Sequence, residues 1–230
     1  MIRIYYFQHP RTIIHHQKRS SMKRTTFIVA LATLFMLAAT IIITTSATSQ
    51  KRKASSGKFP KDSMIKRGEY LVTTSGCHDC HSPKIFTPMG PMPDTTRLLS
   101  GHPASDTIPA VPPGLIGATP KQWGAVTSND FTAWVGLWGT SFTQNLTPDV
   151  ETGIGSWTED MFVAAIRRGK HMGVGRNLLP PMPWPAYRNM SDDYLKSIFT
   201  YLKSLPPISN AVPDPISPTG ERIPTPKVLK

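Results

Sequence analysis

Both cysteines of this 230-residue chain lie in one short stretch: Cys77 and Cys80 stand three positions apart, and His81 follows the second directly. Thiols at i and i+3 near the start of a helix share a face, so both can reach one planar ligand, and the next imidazole points the same way. C-x-x-C-H is the pattern of covalent c-type haem attachment, with thioethers to the porphyrin and the histidine on iron. Three other chemistries use parts of the same residues. A redox dithiol would use Cys77 and Cys80, but it normally lacks the trailing histidine and sits in a βαβ setting. A zinc site would add His81 and require a fourth ligand, for which His102 and His171 are poorly spaced. A structural disulfide needs only the two thiols.

A haem held by a histidine alone would keep one coordination position open. Met182 is the candidate to close it, because it lies in the run Pro180, Pro181, Met182, Pro183, ahead of Trp184 and Pro185. A thioether is a weak, neutral ligand that needs a stiff backbone behind it, and it favours the reduced iron. Met172, Met190, Met89 and Met92 are rivals, as core filler is the ordinary role of methionine. His102 or His171 would instead give two histidine ligands and a lower potential.

The elements that must position these residues can be read coarsely. Apolar Met64, Ile65, Tyr70, Leu71 and Val72 predict a helix from about Asp62, capped by Asp62 or Ser63 and ending just before Cys77. Gly68 inside it costs about 1 kcal/mol relative to alanine and marks a close approach by another element. Residues 82–123 are so rich in proline and glycine that a long irregular loop is expected, wrapped around something. Residues 131–142 alternate aromatic and small side chains and predict a short strand or hairpin, with Trp134 and Trp138 as ordinary core. Ser156 and Glu159 read as a capping box for a helix through Met161, Phe162, Ala165 and Ile166, stopped at Gly169. Ser191, Asp192 and Asp193 open a last helix with Tyr194, Leu195, Ile198, Tyr201 and Leu202 on one stripe, and Pro206 and Pro207 follow it.

Charge separates the chain into parts. The net charge is +12, yet eleven of the 26 basic residues fall in the first 61 positions, where there is no acid. The remainder is nearly balanced, which argues against nucleic acid as a partner. Lys23 and Arg24 precede an uncharged apolar run, 27–43, followed by Thr45, Ser46, Ala47 and Thr48. That is the layout of an export leader; its 17 residues are long for a signal peptide and short for a comfortable span, and cleavage after Ala47 and retention as an anchor are both expected alternatives. Met22 with Lys23 and Arg24 makes a more ordinary start than Met1. The expected divisions are a leader or anchor at 1–48, a linker at 49–60, a domain at 61–207 and a Pro-rich tail at 208–230, lying on the surface or disordered.

Three blocks together carry a family resemblance. They are Tyr70, Leu71 and Val72 before the Cys77–His81 motif; Asn145, Leu146, Thr147, Pro148 and Asp149 with Gly153, Gly155 and Trp157; and Pro180 to Trp184 with Leu195, Ile198, Tyr201 and Leu202. In this order they resemble class I c-type cytochromes, in particular the monohaem modules of cytochrome subunits in bacterial alcohol and gluconate dehydrogenases. The resemblance implies a mainly α cytochrome c fold: three to four helices around one covalently bound haem c, long irregular loops and at most a short β-hairpin. It implies Cys77 and Cys80 as thioether sites, His81 as proximal and Met182 as distal iron ligand, and crossing first and last helices with Gly68 near Ile198 and Tyr201. Those subunits carry several haem motifs and this chain has one, and residues 97–130 lengthen the stretch after the motif. Arg97, Trp138 and Arg176 are candidates to meet the haem propionates.

The function so implied is that of an electron carrier rather than an enzyme. Its redox partners would be a dehydrogenase and a terminal oxidase, and its place the periplasm or the outer face of the bacterial cytoplasmic membrane. The competing expectation is a haem enzyme or small-ligand sensor whose sixth position stays open.

Overall fold

The structure is a computed structural model that describes residues 59–226. The leader, with the anchor expected at 27–43, lies outside the described residues. No helix among the described residues is long and apolar enough to cross a membrane.

Helix α1 (Lys61–Thr74) leads into a one-turn helix, α2 (Cys77–His81), through Gly76, whose φ of 69° is the left-handed conformation that glycine adopts without strain. The N-cap of α1 is Pro60, with no side-chain cap bond, rather than Asp62 or Ser63. The chain then forms a hairpin of β1 (Lys84–Thr87) and β2 (Gly90–Pro93), pairing Thr87 with Gly90 and Lys84 with Pro93. Irregular backbone follows, and then a three-stranded antiparallel sheet of β3 (Ala125–Thr127), β4 (Ala133–Gly136) and β5 (Gly139–Phe142) in that order. Helices α3 (Glu159–Arg168), α4 (Trp184–Tyr187) and α5 (Asp192–Leu202) complete the chain up to its tail.

This corrects the mainly α cytochrome c fold expected from the resemblance. Helix makes up 28% and strand 15% of the described residues, and the strands form two antiparallel sheets rather than at most one short hairpin. The prolines and glycines of residues 82–142 exclude helix, but they do not exclude pairing of short extended segments. The hairpin of β1 and β2 interrupts what reads in sequence as one irregular loop. It also leaves Phe86 and Met89 65% and 85% exposed, with Ile85 and Met92 exposed beside them.

The core lies among α1, α3 and α5. Val72, Leu99, Ile154, Phe162, Ile166, Leu195, Ile198, Phe199 and Leu202 form one buried cluster, and Cys77, Trp157, Met182 and Met190 pack against it. A Cβ on Gly68 would press into the Ser197 carbonyl and come 2.6 Å from Tyr201 Cβ, so α1 and α5 touch backbone to backbone there. Helix α3 starts later than the capping box suggests. Its N-cap is Thr158, whose hydroxyl accepts from the Met161 amide at 3.2 Å, while Gly169 in the left-handed region stops it as expected. Ser191 caps α5 by accepting from the Tyr194 amide.

The tail is tied to the body. Asn210 Nδ2 donates to the carbonyls of Ser100 and His102 at 2.7 and 2.8 Å, and its Oδ1 accepts from the Ala104 amide. Asn145 Nδ2 donates to the Ile208 carbonyl, and Ile216 pairs with Thr140 at the edge of β5.

Candidate functional site

A cavity of about 780 Å³ opens beside the core, within the ~300–1,000 Å³ usual for cofactor sites. Cys77, Cys80, His81 and Met182 all line it. Two elements bring them there. Helix α2 presents the two thiols and the imidazole, and the proline run ahead of α4 presents the thioether.

Each of these groups is neutral or held so. Burial pushes the Cys77 thiol up to about 11, and Asp79 adds to the shift. The Cys80 thiol is raised by burial and then by Asp79. Burial lowers His81 below its ordinary value, against a hydrogen bond to the Gln144 carbonyl that raises it. That bond, at 2.7 Å, fixes the tautomer, because a carbonyl only accepts: Nδ1 carries the proton and Nε2 keeps its lone pair. A histidine that donates its other N–H to a carbonyl is the arrangement of a metal-ligating imidazole. His78, the histidine inside the motif, is held apart by Ser82 Oγ, 2.9 Å from its Nδ1.

The loop carrying Met182 is held from two sides. Ser141 Oγ on β5 donates to the Pro180 carbonyl at 2.6 Å. Beyond Met182, the Tyr187 hydroxyl of α4 donates to the Ser75 carbonyl at 2.6 Å, just before Cys77.

The other candidates separate clearly. Met190, His171 and Arg176 line the cavity; Met172, Met89, Met92, His102, Arg97 and Trp138 do not. Met89 and Met92 are on the exposed hairpin, Arg97 pairs with Asp94, and His102 stacks on Phe142 with its Nδ1 on Thr132 Oγ1. Both cysteines are free thiols. Among the described residues, no group of three or more His, Cys, Asp or Glu side chains could hold a bare metal ion, which leaves the zinc reading without a ligand set.

The residues present fit a haem. The donor set offers two thiols, one unprotonated imidazole nitrogen and one thioether on the wall of a largely apolar space. His171 Nδ1 and Thr143 Oγ1, also on that wall, are buried polar atoms with no hydrogen-bond partner. Burial in an otherwise apolar wall, then Arg176, lowers His171 to about 4, so its ring is neutral. Such orphaned atoms suit a ligand that carries polar groups on an apolar plane.

Sequence reasoning missed Ser141, Gln144, Tyr187 and Lys84. Lys84 Nζ donates to the carbonyls of His78, Asp79 and Ser82 at 2.9, 3.0 and 2.5 Å, closing the C-terminal end of α2. None of these has a local signal, since each acts on or through a backbone carbonyl that is set by the fold and not by neighbouring side chains.

No family model matches the chain. It is 30% identical over 154 residues to the gluconate 2-dehydrogenase cytochrome c subunit of Pantoea cypripedii, covering 66% of this chain and 26% of that protein. It is 28% identical over 166 residues to the cytochrome c subunit of the quinone-dependent alcohol dehydrogenase of Gluconobacter oxydans, covering 71% and 26%. A shorter match, 36% over 64 residues, covers 28% of this chain and 13% of the fructose dehydrogenase cytochrome subunit of Gluconobacter japonicus. The chain thus spans about a quarter of the length of the first and second of these curated relatives. The resemblance carried by the three sequence blocks therefore holds, and the chain is similar to one cytochrome c module of the cytochrome subunits of bacterial gluconate and alcohol dehydrogenases.

Proposed function

We propose that this chain is a monohaem c-type cytochrome module that carries single electrons by outer-sphere transfer from a dehydrogenase to a terminal acceptor such as an oxidase. The observation that supports it most is the convergence of Cys77, Cys80, His81 and Met182 on one apolar cavity. The haem, when bound, supplies the one-electron chemistry; the chain's residues hold and tune it. In this reading Cys77 and Cys80 would hold the group through thioethers, and the Nε2 of His81 would ligate its iron. The Gln144 carbonyl orients that ring and makes it a better donor. Met182 would supply a second, soft and neutral ligand that favours the reduced state. The apolar wall formed by Leu146, Ile154, Phe162 and Ile166 excludes water.

In this reading the chain carries electrons and leaves the acid–base chemistry of substrate oxidation to the dehydrogenase. Export to the periplasm or the outer face of the cytoplasmic membrane, with residues 27–43 as leader or anchor, agrees with the thioether chemistry proposed. The partner class follows from the dehydrogenase subunits that the chain resembles.

The test is a spectrum of the purified full chain, expressed with a haem-maturation system, beside Met182→Ala. The expected wild-type protein keeps its haem through denaturation, and its ferrous form does not bind carbon monoxide rapidly. Met182→Ala should open the iron to carbon monoxide and lower the potential by on the order of 100 mV. A colourless protein would remove the haem reading. Rapid carbon monoxide binding by the wild type would favour an open-site sensor or enzyme.

A further inference from the structure

Residues 141–144 run along the cavity and touch both of its working sides. At one end the Gln144 carbonyl accepts from His81 Nδ1. At the other, Ser141 Oγ donates to the carbonyl of Pro180, two residues before Met182. Ser141 is only 8% exposed, and its hydroxyl in turn accepts from Trp138 Nε1 at 3.3 Å, so its orientation is fixed from both directions. The Met182 loop has little means to hold itself. Pro180, Pro181 and Pro183 have no N–H, and the Met182 amide reaches only the Leu179 carbonyl, at 3.2 Å. A donor from outside the loop is what remains. Residues 141 and 142 are paired along β4, Ser141 with Trp134 and Phe142 with Ala133, and the Thr143 amide continues to the Thr132 carbonyl. The segment is therefore stiff.

We propose that Ser141, oriented by Trp138, is a positioning residue for Met182, and that residues 141–144 set the span between the imidazole of His81 and the thioether of Met182. The proposal rests on the reading of Met182 as the sixth ligand. It gives the three-stranded sheet, which departs from the mainly helical expectation, a task at the site. Without the Ser141 bond the loop keeps its anchor beyond Met182, through Tyr187 and Ser75, but loses the one at Pro180, and a weak thioether between them is less firmly placed.

The experiment compares Ser141→Ala, Ser141→Thr, Trp138→Phe and Met182→Ala in the haem-loaded full chain. It reads the weak long-wavelength band of sulfur-ligated ferric iron, the carbon-monoxide-reactive fraction of the ferrous protein, and the midpoint potential. Loss of one buried hydrogen bond should raise the fraction with Met182 off the iron about fivefold in Ser141→Ala. Ser141→Thr, which keeps the hydroxyl, should restore the wild-type band, and Trp138→Phe should fall between. If Met182→Ala abolishes the band while Ser141→Ala and Trp138→Phe leave band, reactivity and potential unchanged, the proposal is overturned and the ligand assignment stands. A lower melting temperature alone, with the band intact, overturns it equally. If Met182→Ala changes nothing, the ligand assignment falls and takes the proposal with it. Should Ser141→Ala not fold, Trp138→Phe decides by the same readings.

Discussion

Lys84 shows how much one side chain can do for a five-residue helix. Helix α2 is too short to satisfy its own C-terminal carbonyls, and the Lys84 ammonium gathers three of them. Burial lowers its affinity for the proton, while Asp130, Cys80 and Asp79 oppose that shift. Lys84→Met keeps the stem and removes the donors. It should cost about 1–3 kcal/mol, the range for charge-assisted bonds, seen as an earlier midpoint in a urea titration. Loss of a positive charge beside the motif should also lower the potential of the loaded protein. The four residues at the cavity are legible in sequence because their chemistry is local: two thiols and an imidazole in five positions, and a methionine fenced by prolines. Lys84, Ser141 and Gln144 are not legible, since their roles depend on carbonyls and rings that no side-chain pattern announces.

At the scale of elements, the contact between α1 and α5 is the tightest point. Gly68→Ala gains about 1 kcal/mol of helix propensity. It also drives a methyl group into the Ser197 carbonyl, and overpacking typically costs 1–3 kcal/mol, about the range expected here before any helix shift. The expected outcome is a net loss, read as a lower melting temperature, with a larger drop for Gly68→Val. This approach of two helices is visible from Gly68 alone, because a glycine inside an apolar helical stripe asks for a neighbour. The sheets are visible only in part. Residues 84–93 hold three prolines in ten positions, which masks the period-two signal of a strand. Residues 131–142 show an alternation that suggests a short strand or hairpin, and β3, ahead of them, becomes a third strand only because Val126 pairs with Val135 across the turn at Ser128. At α3 the sequence offers two good caps, Ser156 and Thr158, and local propensity cannot choose between them. The Trp157 amide, taken by Ile154, holds the backbone out of the helix until Thr158.

For the whole molecule, the tail and the segment after the motif are fastened by Asn210, which satisfies three backbone groups at once. Asn210→Ala leaves two carbonyls and one amide without that partner. About 1–3 kcal/mol of stability should be lost, and cleavage beyond residue 207 should speed up under limited proteolysis. A tail that proves equally resistant in the variant would show that the bridge of Ile216 to Thr140 suffices. Outside this bound body stands the hairpin of β1 and β2, with its exposed Phe86 and Met89. Pro91 and Pro93 sit two apart on β2, opposite Phe86 and Lys84, and in a paired ladder those alternate positions turn their backbone nitrogens outward. That flank consequently has no hydrogen to offer a further strand. The greasy tip can meet a neighbour through its side chains, but it cannot seed an endless ribbon from that side.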